Sequence, residues 1–285
     1  MRLLILSALF QTALSNIRGF NFYGLETPLQ NFVCSWQYPF EHYVDFLSEN
    51  GFNSIRIPFS YDYIQKGDFT YMDRMVEYTS KKNITILLDF HRVSQDYQSS
   101  NPFLDISITQ FVEGWNVVLE RYVKNRWVFG IGLFNEYQGT DPHYWSDMMG
   151  QVIDKIEQSQ PLNRWIYFVG GTLWGGNLHN ISLEDKPYKE RIKYEIHKYS
   201  FSGTSTLEDW ENSFGSFYNK IVIGEWSVSN TDWDDRFIDF CHSKNIRDNY
   251  YWVISNSWDT SNIWKDNCVD INYNVLEKIK KMWYE

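Results

Sequence analysis

Two glutamates stand just beyond segments that have the composition of buried β-strands. Glu136 follows the apolar run 128–134, and Glu225 follows the run 221–224. A pair of carboxyl groups can hydrolyse a glycosidic bond, because one protonates the leaving oxygen while the other attacks the sugar carbon or activates water. Glycosidic cleavage is therefore the first chemistry that these residue types suggest.

Six other polar or aromatic side chains stand at or just past the predicted ends of similar runs, and they suit a sugar ring. An arginine and aromatic rings favour a sugar over a cation, so we expect neither metal nor cofactor; a metal site of His91, His197 and a glutamate is the alternative. No Ser/His/Asp order, phosphate-binding loop, H-E-x-x-H motif or cysteine cluster suggests a different chemistry. The six candidate binding residues are Arg56, His91, Asn135, His197, Tyr199 and Trp252.

The strand-like runs recur about every 30 residues, and segments with helical spacing lie between them. This alternation predicts a single-domain α/β protein with the (β/α)8 (TIM) barrel fold, in which residues beyond the strands' carboxyl ends share one face. A doubly wound open sheet is the rival fold, but the G-x-G-x-x-G turn that it would favour is absent. The predicted strands are 19–23, 54–57, 84–90, 128–134, 165–169, 192–196, 221–224 and 250–254, and the predicted helices are 40–47, 71–78, 111–123, 145–156, 210–218, 233–241 and 275–283.

The first 15 residues have the pattern of a secretory signal peptide. A basic start, a short apolar run and a small-x-small ending predict cleavage near Ser15 and a catalytic domain over residues 16–285. We therefore expect a secreted, extracellular protein, and a first barrel helix or an uncleaved anchor is the alternative for this segment. One disulfide is compatible with export; Cys241 and Cys268 are the favoured pair, with Cys34 left over.

Composition limits the partners of the chain. The 285 residues carry a formal net charge of −10, and no basic block interrupts the acidic excess. Nucleic acids and anionic membranes are thus excluded as expected partners, and we expect a monomer. The 13 tryptophans favour aromatic platforms for a flat ligand such as a sugar, although any one of them could equally fill the core.

Several motifs, taken in order, resemble glycoside hydrolase family 5, and within it the bacterial endo-β-1,4-glucanases (cellulases). The resemblance extends from about Arg18 to the end of the chain. The matching stretches are FYGLETP (22–28), GFNSIRIP (51–58), LLDFHR (87–92), FNE (134–136), WGGNL (174–178), YEIHKY (194–199), IGEW (223–226), and Trp252 followed by NSWDT (256–260).

The resemblance implies the roles of the two acids. Glu136 would be the acid/base and Glu225 the nucleophile, and Arg56 and Tyr199 would hydrogen-bond the nucleophile and keep it ionised. A second carboxylate about 5 Å away would raise the pKa of the acid/base, so that Glu136 could remain protonated.

The resemblance also implies how the sugar is held. Asn135 would bind the 2-hydroxyl of the sugar that is cleaved, and His91 would contact another of its hydroxyls. His197 would lie near the acid/base, and Trp252 would form the floor of the subsite.

Four positions depart from the family pattern. Tyr137 replaces the proline that usually follows Asn-Glu, and Ile254 stands where a second tryptophan is common. Trp258 replaces a glycine, and Lys198 occupies a slot that is often acidic. These differences bear on the shape of the subsites and hence on the glycan.

Three functions remain open at this stage. The favoured one is a secreted, retaining enzyme that cleaves β-1,4-glucan internally by double displacement. Another family 5 activity, on mannan, xylan or mixed-linkage glucan, is the alternative within enzymes, because the barrel and the acids would be the same. A non-catalytic carbohydrate-binding barrel is the alternative from a different class.

Overall fold

The computed structural model describes residues 16–160, 164–202, 206–253 and 261–284, and its strands close into one parallel barrel. Each strand pairs with its neighbours in chain order, and the first pairs with the last. The (β/α)8 prediction is therefore confirmed. The strands are β1 (Arg18–Asn21), β2 (Ser54–Ser60), β3 (Thr85–Arg92), β4 (Val128–Gly132), β5 (Ile166–Gly170), β6 (Ile192–Lys198), β7 (Ile221–Trp226) and β8 (Asn249–Tyr251).

The seven predicted helices are present, and two short helices, Tyr61–Lys66 and Pro102–Asp105, were not predicted. Because Gly215 has a φ of 71°, the helix predicted over 210–218 ends at Phe214. Among the described residues, the connection from β5 to β6 holds only a 3-10 turn, so the fifth unit lacks the α-helix that a full repeat would have. The helices are α1 (Phe40–Glu49), α2 (Tyr61–Lys66), α3 (Thr70–Lys81), α4 (Pro102–Asp105), α5 (Ile108–Tyr122), α6 (Pro142–Ser159), α7 (Leu207–Phe214), α8 (Asp232–Ser243) and α9 (Tyr273–Trp283).

Local sequence signals fix where the longer helices begin. Ser107 and Gln110 form a capping box at the start of α5, which satisfies amide groups that would otherwise lack a partner. At α6 the Asp141 side chain accepts hydrogen bonds from two backbone amides, and Pro142 occupies the first helical position. Within the described ranges, no helix combines the length and the apolar character needed to cross a bilayer.

The barrel interior is apolar at its base and polar above it. Side chains of a strand alternate in direction, so Leu87, Asp89 and His91 of β3 all point into the barrel at successive heights. Leu87 belongs to the apolar base, whereas Asp89 and His91 belong to the polar layers. The side chains of the base are Ile17, Leu87, Phe129, Phe168, Val222 and Tyr250.

Two glycines make room for buried carboxylates in the polar layer. A Cβ at Gly132 would lie 2.8 Å from Asp89 Oδ1, and a Cβ at Gly224 would lie 2.1 Å from Glu195 Oε1. Both distances are shorter than a van der Waals contact. The missing side chains of Gly132 and Gly224 therefore allow Asp89 and Glu195 to fit inside the barrel.

The disulfide joins Cys34 to Cys268, and the predicted pairing of Cys241 with Cys268 was wrong. The Cα atoms of Cys34 and Cys268 are 5.8 Å apart, and the bond ties the loop after β1 to the segment before α9. β1 and β8 are neighbours in the closed barrel, so the segments that follow them meet. Cys241 lies instead on the buried face of α8, where it is a free thiol.

Two sequence predictions fall outside the described residues. The predicted signal peptide, residues 1–15, is one of them. The motif at 256–260 is the other, and the departures Ile254 and Trp258 lie outside the described residues with it.

Candidate active site

Glu225 lies on β7 with a hydrogen bond to each carboxylate oxygen. Arg56 Nη1 donates to Oε1 over 2.9 Å, and the Tyr199 hydroxyl donates to Oε2 over 2.8 Å. Burial raises the pKa of Tyr199 well above its ordinary value, so the phenol stays protonated and acts as a donor. The contacts predicted for Arg56 and Tyr199 are therefore present.

The surroundings of Glu225 affect the pKa of its carboxyl group in opposite directions. Burial raises the pKa of its carboxyl, whereas the positive charges of His197 and Arg56 and the Tyr199 hydrogen bond lower it; the net direction is upward. Burial would lower the pKa of Arg56, but the carboxylates of Asp89, Glu195 and Glu225 raise it, so the guanidinium remains charged. The charge of Arg56 therefore limits the rise in the pKa of Glu225 that burial causes.

Glu136 lies beyond β4, at the open side of the site. Its side chain is 23% exposed, against 5% for that of Glu225. His197 Nδ1 is 3.2 Å from Glu136 Oε1 and 3.6 Å from Glu225 Oε2. One oxygen of each glutamate and one nitrogen of His197 all lie within 4.8 Å of one another.

Asn135 is fixed between a cation and an imidazole. Its Oδ1 accepts from Arg56 Nη2 over 2.8 Å, and its Nδ2 is 3.3 Å from His91 Nε2. His91 Nδ1 is 2.8 Å from Asp89 Oδ2, and burial holds the pKa of His91 well below its ordinary value. A neutral His91 then carries its proton on Nδ1 and accepts from Asn135 through Nε2.

Trp252 follows β8 directly and forms one wall of the site. Its ring lies parallel to that of His91, with 5.7 Å between centroids and 8° between planes, and Tyr23 packs against it at 5.4 Å. Trp252 and His91 border a cleft of about 900 Å³ at the carboxyl-terminal mouth of the barrel. Its lining includes His91, Glu136, Trp174, His197, Glu225 and Trp252.

All eight predicted side chains lie in one connected group, although some of them do not lie at the end of a strand. β2 continues to Ser60, so Arg56 lies inside the strand and reaches the site with a long side chain. β4 ends at Gly132, two residues earlier than predicted, which places Asn135 and Glu136 on the following loop. The shared face predicted from the barrel is correct, and the boundaries were wrong by two or three residues.

Three buried polar residues of the site were not among the predicted ones. Asp89 and Glu195 each stand two residues before a predicted histidine, and side chains two apart on a strand point the same way. The position of these two acids, two residues before a histidine, was a signal from which they could have been predicted as site residues. Asn21 at the end of β1 also contacts the site, since its Oδ1 accepts from Arg56 Nη1 over 3.0 Å.

Two of the departures from the family pattern make contacts that do not involve Glu136 or Glu225. The Tyr137 ring is buried and stacks on Trp145 at 4.1 Å. Lys198 is also buried, and its Nζ donates to the carbonyl of Gly176 over 2.7 Å. Burial lowers the pKa of Lys198 to about 8.

Most tryptophans serve the core rather than the ligand. Of those described, Trp174 and Trp252 line the cleft, and Trp36 is 65% exposed. The composition therefore overstated the number of aromatic platforms. Eight described tryptophans are buried: Trp115, Trp145, Trp165, Trp210, Trp226, Trp233, Trp264 and Trp283.

The side chains near Glu136 fit a metal less well than they fit a pair of acids. His197, Glu136 and Glu225 are close enough to share an ion, but both ring nitrogens of His197 face carboxylate oxygens. Burial lowers the pKa of His197, yet Glu225, Glu136 and Glu195 together raise it to about 10. A protonated imidazole has no lone pair for a metal, and the nitrogens of His91 are occupied by Asp89 and Asn135.

A closed (β/α)8 barrel with two carboxyl groups this close at its carboxyl-terminal mouth has the architecture of a glycoside hydrolase. The family model described as Cellulase (glycosyl hydrolase family 5) matches residues 15–267. The chain belongs to that family.

Curated relatives include two bacterial endoglucanases. Endoglucanase C of Acetivibrio thermocellus is 29% identical over 196 residues, which cover 63% of this chain and 55% of that protein. The match thus spans about half the length of that relative. The endoglucanase of Paenibacillus polymyxa is 23% identical over an alignment of 315 positions, which covers 87% of this chain and 78% of that protein.

Solved structures show the same fold. A cellotetraose complex of the endocellulase from Pyrococcus horikoshii matches with a TM-score of 0.82 and 21% identity, covering 94% of this chain and 92% of that one. The catalytic domain of the major endoglucanase from Xanthomonas campestris pv. campestris matches with a TM-score of 0.79 and 20% identity, covering 94% of each chain. At this identity the likeness extends to the fold alone.

Proposed function

We propose that this chain is a secreted, retaining glycoside hydrolase that cleaves β-1,4-glucan internally, with Glu225 as nucleophile and Glu136 as acid/base. The observation that carries the proposal is the short separation of the two carboxyl groups, since one oxygen of Glu136 lies within 4.8 Å of one oxygen of Glu225. Retaining enzymes place their carboxyl groups about 5 to 5.5 Å apart, whereas inverting enzymes leave about 6.5 to 9.5 Å for a water molecule.

The surroundings of each acid match its proposed task. Glu225 is buried, and Arg56 and Tyr199 orient it toward one face of a sugar. Glu136 is the more exposed acid and stands where a leaving group can depart.

The reaction then has two steps. In the first, Glu136 gives its proton to the glycosidic oxygen while Glu225 attacks the anomeric carbon, forming a glycosyl-enzyme ester and releasing the sugar beyond the cleavage point. In the second, the Glu136 carboxylate takes a proton from water, which attacks the same carbon and releases Glu225.

The neighbouring side chains hold the sugar for these steps. The Trp252 ring offers an apolar face, and the second Nδ2 hydrogen of Asn135 can be donated to a hydroxyl group, while His91 orients that amide. The endoglucanase names of the relatives support a β-glucan as substrate. Mannan, xylan and mixed-linkage glucan remain the alternatives because the barrel and acids would serve them equally.

Secretion is part of the proposal. The Cys34–Cys268 disulfide supports it, since such bonds persist mainly in oxidising compartments. The signal peptide over residues 1–15 stays a prediction. So do a monomeric state and the lack of nucleic-acid and membrane partners.

A reducing-sugar assay on β-glucans, mannan and xylan tests the function. We expect hydrolysis of β-1,4-glucan, with viscosity falling faster than reducing ends appear because internal bonds are cut. Glu225→Ala, assayed in parallel, should be inactive on every polymer. Binding of these glycans without hydrolysis by the unaltered protein would overturn the proposal in favour of the carbohydrate-binding barrel.

A further inference from the structure

Glu195 is a buried acid that the reaction described above does not use. It lies on β6, two residues before His197, and is 3% exposed. Its Oε1 is 2.9 Å from Arg56 Nη2 and 3.1 Å from His197 Nε2. It is not part of the lining of the cleft. Glu195 therefore contacts two residues of the site without facing the substrate.

The barrel leaves a space for this carboxylate. Gly224, directly before Glu225 on β7, has no Cβ, and a Cβ there would lie 2.1 Å from Glu195 Oε1. Any larger residue at 224 would push Glu195 away from Arg56 and His197. Its position therefore depends on a particular residue of the neighbouring strand.

His197 connects Glu195 to both reacting acids. Its Nε2 faces Glu195, and its Nδ1 faces Glu136 at 3.2 Å and Glu225 at 3.6 Å. An ionised carboxylate can only accept a hydrogen bond, so a ring with carboxylates at both nitrogens is favoured with a proton on each. Glu195 fixes the proton on Nε2, which is the side away from the cleft.

We propose that Glu195 is a positioning residue that holds His197 doubly protonated between Glu136 and Glu225 and ties it to Arg56. The inference rests on the proposed roles of those two glutamates. Removing the negative charge of Glu195 weakens the hold on the Nε2 proton. It also leaves Arg56 with one fewer carboxylate, so both partners are held less tightly.

The charge of His197 depends on groups from several strands. Burial lowers its pKa, and the nearby carboxylates outweigh burial and raise it to about 10. The pKa should fall when Glu195 loses its charge and remain partly raised by the others. The titratable and charged groups that face or couple to His197 are Glu195 and Tyr199 of its own strand and following loop, Arg56 of β2, Asp89 and His91 of β3, Glu136 beyond β4, and Glu225 of β7.

The Nδ1 proton of His197 has a use in the first step. Glu136 transfers its own proton to the leaving oxygen and becomes a carboxylate, and His197 keeps its Nδ1 proton and donates a hydrogen bond to that new charge. In the second step Glu136 recovers a proton from water, so His197 begins and ends the cycle protonated. Glu195 should thus affect kcat, through His197, more than KM.

The test compares Glu195→Gln with unaltered protein by NMR titration of the His197 ring. Gln keeps the shape but not the charge, so we expect the pKa of His197 to fall by at least one unit. Glu195→Asp, which keeps the charge, should restore part of the shift. Glu184→Gln is the matched control, because Glu184 also accepts from a β6 residue, Tyr194, and from a lysine, but contacts no residue of the site.

Kinetics on the same variants give the second readout. Misplacement of a reacting group costs on the order of 10²-fold in rate, so kcat of Glu195→Gln should fall by that order while KM changes less than about threefold. A folded Glu195→Gln protein whose His197 pKa is unchanged would overturn the inference, whatever its activity. If the pKa falls but the unaltered protein hydrolyses no glycan, the inference about His197 stands and the proposed function fails.

Discussion

Arg56 Nη1 donates to Glu225 Oε1 over 2.9 Å, so a charge from β2 is in direct contact with the proposed nucleophile on β7. Asp89 and Glu195 hold the other terminal nitrogen of Arg56 at 3.0 and 2.9 Å. The guanidinium therefore has a fixed position, which a flexible surface arginine would not have.

Replacing Arg56 should move the acid limb of the pH-rate profile to higher pH. Arg56→Ala removes a charge that lowers the pKa of Glu225, so the pKa rises further and the nucleophile is protonated at a higher pH than before. The measurement is kcat/KM against pH, which reports groups of the free enzyme. Arg56→Lys keeps a cation and should move the limb less. A limb that stays in place while activity falls would show that Arg56 only positions the nucleophile.

Glu26 should make the protein less stable as pH rises. It is buried in the loop after β1, and burial raises its pKa from 4.5 to about 7. The folded state keeps the proton that the unfolded chain releases. The contribution of Glu26 to the free energy of unfolding is therefore complete below pH 4.5 and is lost as pH rises to 7. A shift of this size corresponds to about 3 kcal/mol of unfolding free energy.

Urea unfolding of Glu26→Gln between pH 4 and 8 measures that contribution. Gln can still accept the hydrogen bond from the Gly24 amide but does not ionise. Relative to unaltered protein, the variant should gain about 3 kcal/mol between pH 4 and 8. The exposed Glu49→Gln is the control and should show no such gain. A constant difference between Glu26→Gln and unaltered protein would rule out a raised pKa.

The disulfide should be detectable by counting thiols. A thiol reagent should modify no cysteine of the folded protein, because Cys241 is buried. It should modify one cysteine of the unfolded, non-reduced protein. Cys34→Ala should lower the unfolding free energy by about 2–4 kcal/mol through loss of the cross-link. Three reactive thiols after unfolding without reductant would contradict the Cys34–Cys268 bond.

The sequence was sufficient to predict the barrel and to place Glu136 and Glu225 at its mouth, because both features depend on local patterns. Buried parallel strands are continuous apolar runs, and the motifs around Glu136 and Glu225 mark the loop after β4 and the strand β7 on which the two glutamates lie. The pairs Asp89/His91 and Glu195/His197 have the same spacing. The two buried acids could thus have been predicted with the histidines.

The disulfide and the role of most tryptophans could not be read in the same way. Cys34 meets Cys268 only because the barrel closes between β1 and β8, which is a relationship between the two ends of the chain. Trp115 fills core space between α5 and the barrel, whereas Trp174 lines the cleft. Composition does not distinguish a buried tryptophan from one that lines the cleft; only the packing of the folded chain does.

The most direct test of the two-glutamate account is azide rescue on an aryl glycoside with an acidic phenol. This leaving group needs no proton, so Glu136→Ala should still form the glycosyl-enzyme, and azide should accelerate turnover and give the β-glycosyl azide. Glu225→Ala lacks the attacking carboxylate, so any azide product should have the α configuration. Both variants should be inactive on the polymer. A β-azide from Glu225→Ala, together with no rescue of Glu136→Ala, would contradict the assignment of the two residues.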